Sequence, residues 1–237
     1  MARKRLVLFI LCFSVIPFLS SCNPFQNNCP PNVQIDYIDA LKWNDIHYES
    51  HPELKDTIAN AQLGKLIGYI SYRMAEDACL NYKMKNGDAT FLEEGTKVYS
   101  LSGYRTSSRV YADGRIFQAN EKPKAKTIGD LYDIKGKVEN IAFESTDDSR
   151  PLHSFSQQSI EPFLHAYLQL PLLSSRQTSR AIDTLKDEDR VFIRLLLKDG
   201  SSLRISYWMD QNITTPWAEG NEATQKLVKK EWKKGLD

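Results

Sequence analysis

Neither sign of charge dominates this sequence: 31 Lys and Arg stand against 30 Asp and Glu. That balance excludes a general nucleic-acid binder, whose domain would carry a clear basic excess. Cysteine is scarce, with Cys12, Cys22, Cys29 and Cys79 the only four, so a disulfide-dense scaffold is excluded as well. No Gly-x-Ser-x-Gly elbow is present, and none of the serines has the neighbourhood of a hydrolase nucleophile. Glycine-rich phosphate loops are missing, and nothing in the sequence calls for a cofactor. Beyond the N-terminus there is no second long apolar run, and 26% of the residues are charged, which marks a water-facing body.

What is there begins at the N-terminus. Arg3, Lys4 and Arg5 precede an apolar run from Leu6 to Leu19, interrupted only by Ser14 and Pro17. This is the order of charge and hydrophobicity in a secretory signal. As a helix the run spans about 21 Å, short of a hydrocarbon core of about 30 Å, so a permanent transmembrane span is disfavoured. The run ends in Leu19-Ser20-Ser21-Cys22, and this resembles the lipobox of bacterial lipoproteins. The resemblance implies that residues 1–21 are a signal peptide and that Cys22 carries a diacylglycerol on its sulfur, a palmitate-type anchor at the extracytoplasmic face of the cell membrane. A thiolate is the nucleophile that can carry the thioether, and two acyl chains anchor stably where one does not. Ordinary signal cleavage near Ser21, leaving Cys22 a plain thiol, and an uncleaved signal anchor are the alternatives.

Removing residues 1–21 takes away three basic residues and no acidic ones, leaving 28 against 30. Residues 22–35 combine three prolines with amides and read as a tether. Cys29 falls within it, and with Cys79 it forms either a disulfide tying the tether to the body or two separate thiols.

The pattern predicts an α+β chain, mostly antiparallel β, with a C-terminal helix-hairpin-helix unit and room for two small subdomains. Residues 36–145 read as a mainly β domain. Strand signals cover Leu41–Tyr48, Lys65–Tyr72, Lys97–Leu101 and Lys137–Phe143, with Asp113-Gly114 as a hairpin turn. The polar, Pro-terminated stretch 145–151 is the expected boundary. Residues 152–237 read as an α+β domain: a helix over Ser156–Leu170, a short helix near Ser179–Lys186, a β-hairpin, and an amphipathic helix over Glu222–Lys234. In the hairpin, a three-residue Lys198-Asp199-Gly200 loop pairs Val191 with Tyr207, Ile193 with Ile205 and Leu195 with Leu203, gathering the aliphatic residues on one face. Gly87–Tyr104 and this hairpin, ending in Tyr207-Trp208, are similar to segments of uncharacterised lipoproteins of spore-forming Gram-positive bacteria. That resemblance implies a compartment, and no activity or site residues.

Four clusters carry candidate chemistry. His47, Glu49 and His51 share a strand parity and form a weak metal candidate, without the His-Glu-x-x-His spacing that converges two histidines on one ion. Glu161 and His165, four apart on a helix, are an acid/base pair or a simple intrahelical pair. Arg194, Arg204 and Trp208, with Phe192, lie on the second face of the hairpin, either as a partner surface or as core and rim. Lys226, Lys229, Lys230 and Lys233 occupy one sector of the last helix, opposite Leu227, Val228 and Trp232, and either face an anionic membrane or are solvated. The expectation is a non-enzymatic envelope module that binds an unidentified protein or ligand. An extracytoplasmic metal-dependent enzyme using the His47/His51 region is the alternative, so the enzyme question stays open.

Overall fold

The computed structural model describes residues 38–50, 63–75, 78–79 and 81–235. The signal peptide, the tether, Cys22, Cys29 and His51 lie outside the described residues.

The Leu41–Tyr48 stretch is not one strand but a hairpin of β1 (Ala40–Trp43) and β2 (Ile46–Glu49). Asn44 and Asp45 between them both take positive φ, 49° and 61°, the two-residue turn whose twist matches its strands. Six strands complete the first sheet: β3 (Leu63–Tyr69), β4 (Tyr72–Arg73), β5 (Asp88–Ala89), β6 (Lys97–Leu101), β7 (Arg109–Ala112) and β8 (Arg115–Glu121). Their order is β3-β6-β7-β8-β2-β1-β5-β4, antiparallel except for the β4–β5 pair. The Asp113-Gly114 turn joins β7 to β8 as the sequence predicts.

A four-residue helix, α1 (Ile128–Leu131), was not foreseen by periodicity, which such a short element cannot display. It is held by Asp130, whose carboxylate accepts from the backbone N–H of Lys126 at 2.8 Å and Thr127 at 3.0 Å. Those bonds keep its carboxyl below the ordinary carboxylate range.

The second sheet contains β9 (Val138–Glu144), β10 (Pro151–Ser154), β11 (Arg190–Leu197), β12 (Ser202–Trp208), β13 (Ile213–Thr214) and β14 (Ala218–Glu219), in the order β10-β9-β11-β12-β13-β14. The polar stretch expected as a boundary is the turn between β9 and β10, so it falls inside one sheet. Ser, Asp and Pro serve a tight turn as well as a linker, and composition does not separate the two. β11 and β12 pair in the register of the three-residue loop, Val191 opposite Tyr207 and Leu195 opposite Leu203, and Gly200 closes it at φ 83°.

Three further helices are α2 (Gln157–Leu168), α3 (Ser175–Ile182) and α4 (Glu222–Lys234). α3 starts four residues earlier than its sequence suggests, because Ser174 and Gln177 form a capping box there. The buried side chains form a contiguous cluster drawn from both sheets, α2 and α4. Within it Phe143 of β9 meets Phe155 at 5.1 Å and Trp232 of α4 at 4.9 Å, and Phe155 meets Phe163 of α2 at 5.4 Å. This chain of tilted and edge-on rings packs α2 and α4 against β9.

Candidate functional site

A cleft of ≈ 760 Å³ opens where β8 ends and α3 begins. That volume lies within the range of ligand sites. One wall is Asn120, Glu121 and Lys122 at the end of β8, with Lys126 beyond; another is Ser174, Ser175, Gln177 and Thr178 around the start of α3. Leu172, Leu173 and Pro216 supply apolar surface, and Trp217 closes one side.

Long-range backbone bonds hold these segments together. Leu172 N–H donates to Lys126 O at 2.9 Å and Leu173 N–H to Trp217 O at 2.9 Å, so the connector before α3 is stitched to both neighbours. Tyr167 of α2 donates its hydroxyl to Thr215 O at 2.8 Å, fixing the loop that carries Trp217. Burial pushes the Tyr167 phenol far above its ordinary pKa, so it remains a donor throughout the physiological range.

Trp217 itself sits at φ 66°. A bulky L-residue there is a conformational outlier that costs on the order of 1–3 kcal/mol, and it persists only where its surroundings over-determine it. Here they do: the ring stacks on Trp208 with centroids 5.9 Å apart and planes 17° from parallel, and its carbonyl is taken by Leu173. Gly220 completes the loop by close approach, because a Cβ there would lie 2.1 Å from Asn212 Oδ1.

The sequence-predicted residues fall in and around this frame. Glu49 stands one layer behind the cleft, accepting from Asn120 Nδ2 at 2.6 Å, with His47 Nδ1 3.7 Å from the same carboxylate. Among the described residues no group of three or more His, Cys, Asp or Glu is placed to hold a metal ion. His165 shares its hydrogen bond with Gln169, at 3.1 Å, rather than with Glu161; both residues line a smaller hollow of ≈ 140 Å³. Arg194 and Arg204 converge on Glu144, whose side chain is fully buried: Arg194 Nε bonds Oε1, and Arg204 Nε lies 3.1 Å from Oε2. The Arg204 guanidinium also lies 3.7 Å from the Phe192 ring centre. Trp208 is only 6% exposed and presents its ring to Trp217 instead of to solvent. Lys226, Lys229, Lys230 and Lys233 are exposed along α4. Cys79 is disulfide-bonded, while Cys29 lies outside the described residues. No described helix is long and apolar enough to cross a membrane.

Trp217 and the α3 entry were missed by sequence reasoning. The available signal was local and weak, an aromatic following Thr215-Pro216 in a polar loop, because the cleft exists only after the chain brings residues 120–126, 172–178 and 216–217 together. Comparison with protein-family models, with characterised proteins and with solved structures finds no match for the chain.

Proposed function

We propose that the protein is a lipid-anchored, extracytoplasmic binding module, held to the membrane through Cys22, spaced from it by residues 22–35, and capturing a polyhydroxylated, glycan-type ligand in the Trp217 cleft. In this reading α2, the β11–β12 hairpin and α4 act as the helix-hairpin-helix unit that presents the cleft loop. The observation that carries it is the cleft wall. Its lining combines an indole, Trp217, with the hydroxyl and amide side chains of Ser174, Ser175, Thr178 and Gln177, the pairing that suits a ring apolar on its faces and hydroxylated at its rim. Binding is favoured over turnover because Glu121 is the only carboxylate among the described residues lining the cleft. Glycoside hydrolysis generally takes two.

Two measurements test this. Radiolabelled palmitate fed to the producing cell labels the wild type and not Cys22→Ala; equal labelling of both refutes the anchor. Titration with a soluble N-acetylhexosamine oligomer shifts tryptophan fluorescence in the wild type and loses at least tenfold in affinity in Trp217→Ala. Equal affinity of the two proteins, or no binding by the wild type, removes the cleft assignment.

A further inference from the structure

Thr224, Val228 and Glu231 are the buried residues of α4. At 100° per residue, the exposed Lys226, Lys229, Lys230 and Lys233 fall in a sector centred nearly opposite them. The lysine face therefore points straight out from the body. Lys234 turns inward to Glu231 at 2.9 Å. Among the described residues, no carboxylate lies within ion-pairing distance of the other four.

This concentration is not a by-product of a basic chain, since the whole sequence carries 31 basic and 30 acidic residues. Nor does it help the helix. Lys226 with Lys230, and Lys229 with Lys233, are like charges one turn apart, an arrangement that weakens helices. The single acid in the same sector among the described residues of α4, Glu222, stands at the first turn, where it complements the helix dipole and, one turn before it, only Lys226 of the four. A face that needed only water would gain by interleaving acids; an anionic plane rewards their exclusion.

We propose that this face docks on an anionic phospholipid bilayer, with α4 lying along the surface and the four ammonium groups paired with headgroup phosphates. The physiological setting rests on the lipid-anchor reading. An anchor and a short tether keep the body beside the membrane at high effective concentration, so that individually weak contacts suffice. The docking is electrostatic and not insertive, because the apolar side of α4 is already used: Val228 is buried and Trp232 packs edge-on against Phe143. It therefore weakens steeply with salt.

The test uses the full chain carrying Cys22→Ala, sedimented with vesicles of phosphatidylcholine or of an equimolar mixture with phosphatidylglycerol. The comparison chain also carries Lys226→Gln, Lys229→Gln, Lys230→Gln and Lys233→Gln, glutamine being nearly as good a helix former as lysine. Each lysine near such a surface contributes roughly fivefold in affinity, so the quadruple variant should lose on the order of 600-fold on mixed vesicles at low salt. Its thermal midpoint and its binding to pure phosphatidylcholine should match the parent. The residues 1–21 are common to both chains and cancel in the comparison. Parent-like binding of the quadruple variant to mixed vesicles overturns the proposal, as does a parent that ignores phosphatidylglycerol. Failure of palmitate labelling overturns the anchor alone and leaves the vesicle result to stand or fall by itself.

Discussion

Arg109 Nη1 donates to Ser201 Oγ at 2.7 Å, a bond that reaches from β7 in the eight-stranded sheet to the start of β12 in the six-stranded one. The same guanidinium gives Nη2 to Ser202 O at 2.9 Å and Nε to Gln118 Oε1 at 2.7 Å, and the residue is 1% exposed. Asp199 stands nearby. Burial pushes its carboxyl up, but hydrogen bonds from Tyr104 and Ser201 and the Arg109 charge outweigh that and hold it below the ordinary carboxylate range. A planar fork answering three acceptors in three directions is a task for arginine and not for a point charge. Arg109→Met should therefore cost about 3–5 kcal/mol in urea unfolding, and Arg109→Lys should recover less than half of that. A loss under about 1 kcal/mol for Arg109→Met would show that the tie between the sheets lies elsewhere.

A second tie, between helices, depends on pH. Glu231 of α4 is buried under the N-terminus of α2, accepting from Ser159 Oγ at 2.7 Å, Ser156 N–H at 3.0 Å, Ser156 Oγ at 3.1 Å and Lys234 Nζ at 2.9 Å. Burial raises its pKa, and the bonds from Lys234, Ser159 and Ser156 outweigh that and bring it from 4.5 to about 2. The folded state thus holds the proton less readily than the unfolded chain. The resulting stability, about 3 kcal/mol, is fully present above pH 4.5 and is lost as the pH falls toward 2. Glu231→Gln should be less stable at neutral pH by about that amount, and the gap should close over the same window. A gap independent of pH between 5 and 2 would mean that the charge is not what matters.

Two glycines separate backbone cost from steric cost. Gly200 needs its φ of 83° but has open space where a Cβ would go, so Gly200→Ala should cost about 1 kcal/mol and Gly200→Asn only a few tenths. At Gly220 the Cβ would collide with Asn212 Oδ1 at 2.1 Å, displacing the side chain that also accepts from the Tyr207 hydroxyl. Gly220→Ala should therefore cost about 2–4 kcal/mol by thermal unfolding. Equal losses at the two sites would remove this distinction.

How much of this was legible depended on the range of the interaction that fixed each element. The β11–β12 hairpin could be read to its register because strict alternation of apolar residues and one Gly in the left-handed region leave a single pairing that buries Ile193, Leu195, Leu203 and Ile205 together. α4 was legible from its own spacing for the same reason. What escaped was set by contacts across the chain. Nothing local to Glu144 says that Arg194 and Arg204 will turn onto it, and so the arginines read equally as a partner surface or as core and rim, and the structure shows them at a buried carboxylate. The cleft escaped more completely, since its walls are separated by about forty to fifty residues of sequence at each step.

Trp208 and Trp217 divide between them what their stack does. Trp208 is 6% exposed within β12, so its replacement by Ala removes a large buried ring and should cost about 3–5 kcal/mol. Trp217 is half-buried and pays for its ring contact with a left-handed backbone. Glycine adopts that backbone without penalty, so Trp217→Gly returns part of what the lost stack costs and should be milder than Trp208→Ala by about 2 kcal/mol. Trp217→Ala, which keeps the backbone penalty and loses the stack, should fall between the two. Both replacements at 217 should abolish the far-ultraviolet exciton couplet of two indole rings 5.9 Å apart in circular dichroism. An order in which Trp217→Gly is less stable than Trp217→Ala would mean that the left-handed backbone at this loop carries no strain, because both variants lose the stack equally.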